Sequence, residues 1–262
     1  MVTTRGVGER PMDKRSSIQV LARAADVFRA LQAHPSGLTQ AEIGEQIGLS
    51  RSTVSRLVLS LEAEGLVSAS GPRGRYRLGP EFVRMAAAAR RSAWQEFHPL
   101  IAELSAQIGE TVDLSVLERD RALFVDQVVS GARLQAVSAV GDSFPLHASA
   151  NGKALLASLP EPDVRRVILG PLDRFTSRTV SDPDVLEREL EQVRKTGIAF
   201  DREEHSEGVC AIGLVVGLVD HDLLAVSVPM PTHRFSIREN EILDALGEFS
   251  VRVDEWVLAR ER

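Results

Sequence analysis

The chain of 262 residues holds a single cysteine, Cys210. One thiol excludes an internal disulfide and a multi-thiolate metal site. No apolar run approaches the ~20 residues that a membrane span needs. The opening stretch MVTTRGVGERPMDKRSS lacks the apolar core of an export signal. Also missing are a Gly-x-Ser-x-Gly nucleophile elbow, a Walker loop and a His-Glu-x-x-His pair. His205, His221 and His233 lie near acidic residues but without tight ligand spacing, as surface histidines do. The expectations are no metal, no cofactor, no membrane partner, a cytoplasmic location and no enzymatic activity. A catalytic C-terminal domain stays as the minor alternative.

What is present is a soluble globular composition, 44% hydrophobic and 26% charged, in a length that suits two modest domains or one large one. The net charge of −6 argues at first against nucleic acid, but its distribution does not. Residues 1–79 hold 11 Lys and Arg against 7 Asp and Glu, while the remainder holds 20 against 30. A basic third on an acidic body is the asymmetry of a chain that touches phosphates at one end only.

That basic third reads as three helices and a hairpin. Val20, Leu21, Ala24, Val27, Phe28 and Leu31 recur at helical spacing over Ser16–Ala33, and His34-Pro35-Ser36-Gly37 ends the run. Thr39 and Glu42 form a capping box that starts a second helix, and Gly48 permits the tight turn after it. Ser50 caps a third helix whose apolar stripe is Val54, Leu57, Val58 and Leu61. Arg51, Ser52, Thr53, Ser55 and Arg56 cluster at its start, where a recognition helix needs donors for base edges and phosphates. Two short strands around Gly71-Pro72-Arg73-Gly74 then carry Arg73, Arg75 and Arg77, a basic wing suited to the DNA backbone. A small helical bundle with solvated arginines explains any one of these pieces, but not their combination.

Pro80 and the alanine-rich EFVRMAAAARRSAW predict a stiff linker helix, and residues 96–109 a further amphipathic one. Strands are expected over Thr111–Val116, Ala122–Val129, Leu134–Ser138, Val209–Val219 and Leu223–Val228. Helices are expected near Asn151–Leu159, Pro162–Leu169 and Asp182–Lys195, with a last one capped by Ser236 and Glu239. Strands bracketed by helices without βα alternation indicate an α+β domain with an antiparallel sheet. The expected organisation is a flexible tail over 1–15, a winged helix-turn-helix over 16–79, a linker helix over 80–95 and a C-terminal domain over 96–262. The helix N-terminus at Ala150-Asn151-Gly152 suits an anionic ligand. Asp201, Glu203 and Glu204 form an acidic cluster whose plain reading is a solvated loop.

Three stretches resemble the IclR family of bacterial regulators: LTQAEIGEQIGLSRSTVSRLVLSLEAEGLV with YRLGP, then FPLHASANGKALLASLP, then GIAFDREEHSEGVCAIGLVV. The first is shared with many regulators, and the other two are more specific. The resemblance implies a GAF-like effector-binding domain and a homodimer or homotetramer on double-stranded operator DNA. It implies control of a metabolic or catabolic operon, as repressor or activator, by a small organic acid or aromatic effector. Thr39 then joins the DNA-binding set, and Ala150, Asn151, Gly152, Asp201, Ala211 and Ser227 line the effector site. Many relatives have a pocket cysteine where this chain has Ala211. Cys210 falls one residue early, and in a strand one residue reverses the face. The alternative is a C-terminal domain that serves only oligomerisation.

Overall fold

The computed structural model describes residues 14–70, 74–89, 93–219 and 222–260. The chain divides into two compact units, Met1–Arg90 and Arg91–Arg262.

The first unit contains α1 (Lys14–Gln32), β1 (Leu38–Thr39), α2 (Gln40–Ile47), α3 (Arg51–Ala63), β2 (Val67–Ser70), β3 (Arg75–Leu78) and α4 (Glu81–Ala89). The three strands form an antiparallel sheet in the order β1-β3-β2. Val27, Leu31, Ile43, Val54, Val58 and Val67 make its core. The expected capping box is present: the Thr39 hydroxyl accepts from Glu42 N–H, and Glu42 accepts from Thr39 N–H at 2.7 Å. Gly48 ends α2 with φ at +66°, a left-handed turn that glycine takes without strain. Most of the expected tail, and Arg73 of the expected wing, lie outside the described residues.

The second unit begins with α5 (Ala93–Ile108) and a six-stranded antiparallel sheet. Its strands are β4 (Val112–Glu118), β5 (Arg121–Val128), β6 (Ser143–Pro145), β7 (Ile198–Arg202), β8 (Val209–Val219) and β9 (Asp222–Pro231), in the order β6-β5-β4-β9-β8-β7. Between β6 and β7 lie α6 (Ala150–Ala157), α7 (Glu161–Ile168) and α8 (Pro183–Thr196), and α9 (Thr232–Arg260) ends the chain. Alternation along the strands sends two sets of side chains to opposite faces. Val112, Leu114, Val116, Cys210, Ile212, Val226 and Val228 pack with α5 and α9 residues such as Phe97, Leu104, Leu246 and Phe249. Ala122, Ala199 and Ala225 face the other way, with Leu155, Leu156, Leu186 and Leu190 of α6 and α8. The small residues on this second face let α6 come close.

Two expectations need correction. Leu134–Ser138 is not a strand: the outer neighbour of β5 is β6. The segment before β6 turns at Gly141, φ +97°, and lays Ala136, Val137 and Ser138 against a cavity instead. Ser236 and Glu239 do not cap the last helix. It starts at Thr232, directly after Pro231; Ser236 donates back to the Thr232 carbonyl, and Glu239 pairs with Arg202. The linker helix expected over 80–95 is described as α4 up to Ala89, with helix again from Ala93.

Candidate functional site

In the first unit, α2, the Gly48 turn and α3 place a row of donors at one helix start. Ser50 caps α3, accepting from Thr53 N–H and sharing hydrogen bonds with the hydroxyls of Ser52 and Thr53. Arg51, Ser52 and Arg56 are exposed, and Thr53 and Ser55 half-buried. This is the surface that a recognition helix offers a major groove. The arginines of the hairpin divide. Arg77 is exposed. Arg75 is drawn into the fold, donating to the Gly37 carbonyl at 2.6 Å and to Glu42 at 3.0 Å. Thr39 N–H first, and the Arg75 guanidinium after it, hold the Glu42 carboxyl below its ordinary pKa. Thr39 itself is occupied as the α2 cap.

In the second unit, a cavity of about 120 Å³ lies between the sheet and the start of α6. Register explains its floor. Asp113 of β4 stands opposite Ser227 of β9, Ser227 opposite Gly213 of β8, and Ala211 of β8 opposite Asp201 of β7. These residues share the α6 face. A Cβ on Gly213 would sit 2.6 Å from the Ala150 carbonyl, so glycine is what lets the helix N-terminus rest on the sheet. Ser149 caps that helix, accepting from Gly152 N–H and donating to the Pro145 carbonyl. Asn151 donates to Ser115, whose hydroxyl donates to the Ala225 carbonyl.

Five of the six residues expected around an effector thus meet on one cavity: Ala150, Asn151, Asp201, Ala211 and Ser227. Gly152 does not line it. A Cβ there would lie 2.8 Å from the backbone of Leu146, so this glycine serves the packing of the preceding turn. Cys210 points to the α9 side, 3.5 Å from the Thr232 hydroxyl, where burial pushes its thiol pKa up. The sequence reading missed Asp113, Phe124, Ser138, Ser149, Phe144 and the part played by His205. Asp113 carries a signal in retrospect, being the one acid in the alternating stretch Thr111–Val116.

The cavity lining is also aromatic. Phe124 meets Phe144 edge-on at 4.8 Å, and His205 is stacked between Phe144 at 3.8 Å and Phe175 at 5.2 Å. Burial, with the nearby Arg121 charge, keeps the His205 pKa below the usual imidazole value. Asp113 accepts from Gln127 and Ser138, yet burial raises its pKa to about 6. Burial raises Asp201 to about 7, against the bond it accepts from Glu204 N–H.

Two residues beyond Asn151 in α6, Lys153 is 2% exposed and donates to Glu204 and Glu189, each at 2.7 Å. The acidic cluster is therefore not a solvated loop. Asp201 and Glu204 are buried, and Thr176 and Thr179 tie down the Glu204 carbonyl. Glu203, half-buried, pairs with Arg178. Among the described residues no group of three His, Cys, Asp or Glu is arranged to hold a metal. His233 is exposed, and His221 lies outside the described residues. No helix of the described residues is long and apolar enough to cross a membrane.

The family profile described as "Bacterial transcriptional regulator IclR C-terminal" matches residues 85–255, and that of the IclR helix-turn-helix domain matches residues 20–71. An HTH-type transcriptional regulator of Mycobacterium tuberculosis is 54% identical over 245 residues, 93% of this chain and 95% of that protein. Among solved structures, an IclR transcriptional regulator of Alicyclobacillus acidocaldarius superposes with a TM-score of 0.80 at 28% identity, covering 91% of this chain and 98% of the other. An IclR homologue of Microbacterium hydrocarbonoxydans, complexed with 4-hydroxybenzoate, gives a TM-score of 0.79 at 24% identity, covering 92% and 99%.

Proposed function

Since the chain belongs to the IclR family of bacterial DNA-binding transcriptional regulators, we propose that it is a sequence-specific repressor of a metabolic operon, released by a small aromatic effector bound in its C-terminal cavity. The family and the relatives are regulators, not enzymes. The observation that carries the proposal is the cavity itself. It is closed by a helix N-terminus, walled by Phe124 and Phe144 and floored by Ser227 and Ala211. Its volume, about 120 Å³, is of the order of the roughly 150 Å³ engineered cavity that takes benzene. The homologue complexed with 4-hydroxybenzoate supports an occupant of that size.

At the DNA, Arg51, Ser52, Ser55 and Arg56 read base edges and Arg77 meets a phosphate, while Arg75 and Thr39 act through the fold. Two copies join through α4, whose Val83 and Met85 are exposed apolar side chains. That pairing sets two recognition helices about one DNA turn, ~34 Å, apart. The protein works in the cytoplasm, where its operator is.

The test is operator selection from random DNA, followed by titration of the full chain. Arg56→Ala weakens binding to the selected site by about 1–3 kcal/mol, and to random DNA by less. Equal losses on both remove the base-reading role. A cavity ligand lowers operator affinity through a coupling of about 1–3 kcal/mol. If no small aromatic compound binds, the C-terminal unit serves assembly alone.

A further inference from the structure

The cavity floor is selective in charge as well as shape. Along β4, every second side chain turns toward α6, and at 113 that side chain is an acid. Asp113 is 1% exposed and Asp201, on the opposite flank of the floor, 6%. Between them lies Ser227, 3% exposed, with no side-chain hydrogen bond among the described residues. No lysine or arginine is among the described residues that line the cavity.

The cations nearby are engaged elsewhere. Lys153 is held by Glu204 and Glu189, and Arg121 donates to the hydroxyl and carbonyl of Ser143. The anion-binding promise of the α6 N-terminus is also reduced, because Gly152 N–H is already shared by Ser149 and the Asn151 side-chain oxygen. A carboxylate ligand would be a third acidic group in a desolvated space, where like charges disfavour one another. A ligand hydroxyl has the opposite fit. It donates to a carboxyl oxygen and accepts from Ser227, while the ring lies against Phe144 and Phe124.

Resting on the reading of this cavity as the effector site, we infer that its occupant is an uncharged, hydroxyl-bearing aromatic molecule, and that Asp113 is the residue that turns carboxylates away.

The experiment is calorimetry on the full chain at neutral pH with three single-ring probes: 4-hydroxybenzyl alcohol, 4-hydroxybenzoate and benzylamine. The alcohol binds about tenfold or more tighter than the acid. Asp113→Asn tightens the acid about tenfold relative to the alcohol, closing the gap. An acid that binds wild type as tightly as the alcohol overturns the inference, as does a benzylamine that binds tighter than both. A gap unchanged in Asp113→Asn overturns the role of that residue. These comparisons within wild type stand even where the variant folds poorly. Failure of all three probes to bind wild type is a different result: it removes the effector site, and the inference with it.

Discussion

In the N-terminal unit, Arg51, Arg56 and Arg77 stand exposed, and ion pairs such as Arg29–Asp26 and Arg84–Glu81 span a single helical turn at the surface. The C-terminal unit has such surface pairs too, Arg165–Glu161 and Arg166–Asp163 among them, but adds a set of buried charges. Lys153, Glu204, Asp201, Asp113 and Glu110 are all buried, and the ion-pair partners of Lys153, Glu204 and Glu110 come from distant parts of the chain. Glu110 alone takes Arg234 and Arg238 of α9. The contrast suits the function proposed for each unit. A surface that meets phosphates must present cations in water, ready to displace counterions. A cavity that encloses a small molecule must hold its shape without solvent, and buried charges that are fully paired hold elements in fixed relation.

The largest effect that sharpens this contrast is at Lys153. Lys153→Met leaves Glu204 and Glu189 facing an apolar side chain, and removal of one partner of a buried pair costs about 3–5 kcal/mol. Adding Glu204→Gln to the same chain recovers most of that loss, because the orphaned charge is gone. Arg84→Met, which breaks an exposed pair of the first unit, costs about 0.2–1 kcal/mol. Urea denaturation of the full chain measures all three. A Lys153 loss no greater than the Arg84 loss, with no recovery in the double variant, would erase the distinction between the units.

The second effect is on pH dependence. Burial, the largest cause at both sites, lifts Asp113 and Asp201 from 3.8 to about 6 and about 7. The folded state therefore holds protons that the unfolded state has lost. Stability from this source is present at low pH and falls as pH rises from about 4 towards about 7, by at most about 1.4 kcal/mol per pH unit for each group. Asp201→Asn keeps an oxygen to accept from Glu204 N–H and removes the titration. Its denaturation midpoint stays flatter than wild type between about pH 5 and 8. Equal slopes in the two proteins would mean that Asp201 is solvated in solution.

The two units also differ in how far the sequence discloses them. The signals of the first are local. Thr39 and Glu42 are three residues apart, Ser50 immediately precedes its helix, and the hairpin strands stand on either side of Gly71-Pro72 in the sequence, so these local signals can be read directly. Even there, the bonds that tie Arg75 to the Gly37 carbonyl, 38 residues away, and to Glu42 have no local signal. In the second unit, the strands β4, β5, β8 and β9 were visible from alternation and apolar runs. The cavity was not, because it depends on register between strands more than 100 residues apart, such as Asp113 against Ser227. Family resemblance supplied Asp201, Ala211 and Ser227, but nothing in the sequence joined Asp113 or Lys153 to them. Leu134–Ser138 looked like a strand because composition records propensity and not the presence of a neighbour to pair with.

The smallest effect expected is at Thr39, and it separates folding from recognition within the first unit. Thr39 was a candidate DNA contact, yet its hydroxyl accepts from Glu42 N–H and its own N–H donates to the Glu42 carboxylate. Thr39→Ala therefore removes a cap and costs about 1 kcal/mol of stability. Thr39→Ser restores the cap and, with it, wild-type DNA affinity. Thr39→Asp also restores the cap, and its negative charge suits a helix N-terminus. The same charge opposes a phosphate wherever the start of α2 approaches the DNA backbone. If Thr39 acts only through the fold, Ser and Asp variants recover both the melting temperature and operator affinity. If the start of α2 lies against the backbone, the Asp variant melts like wild type but binds every DNA sequence more weakly, with a larger deficit at low salt. Thermal melts and salt-dependent DNA titrations of the three variants decide between these outcomes.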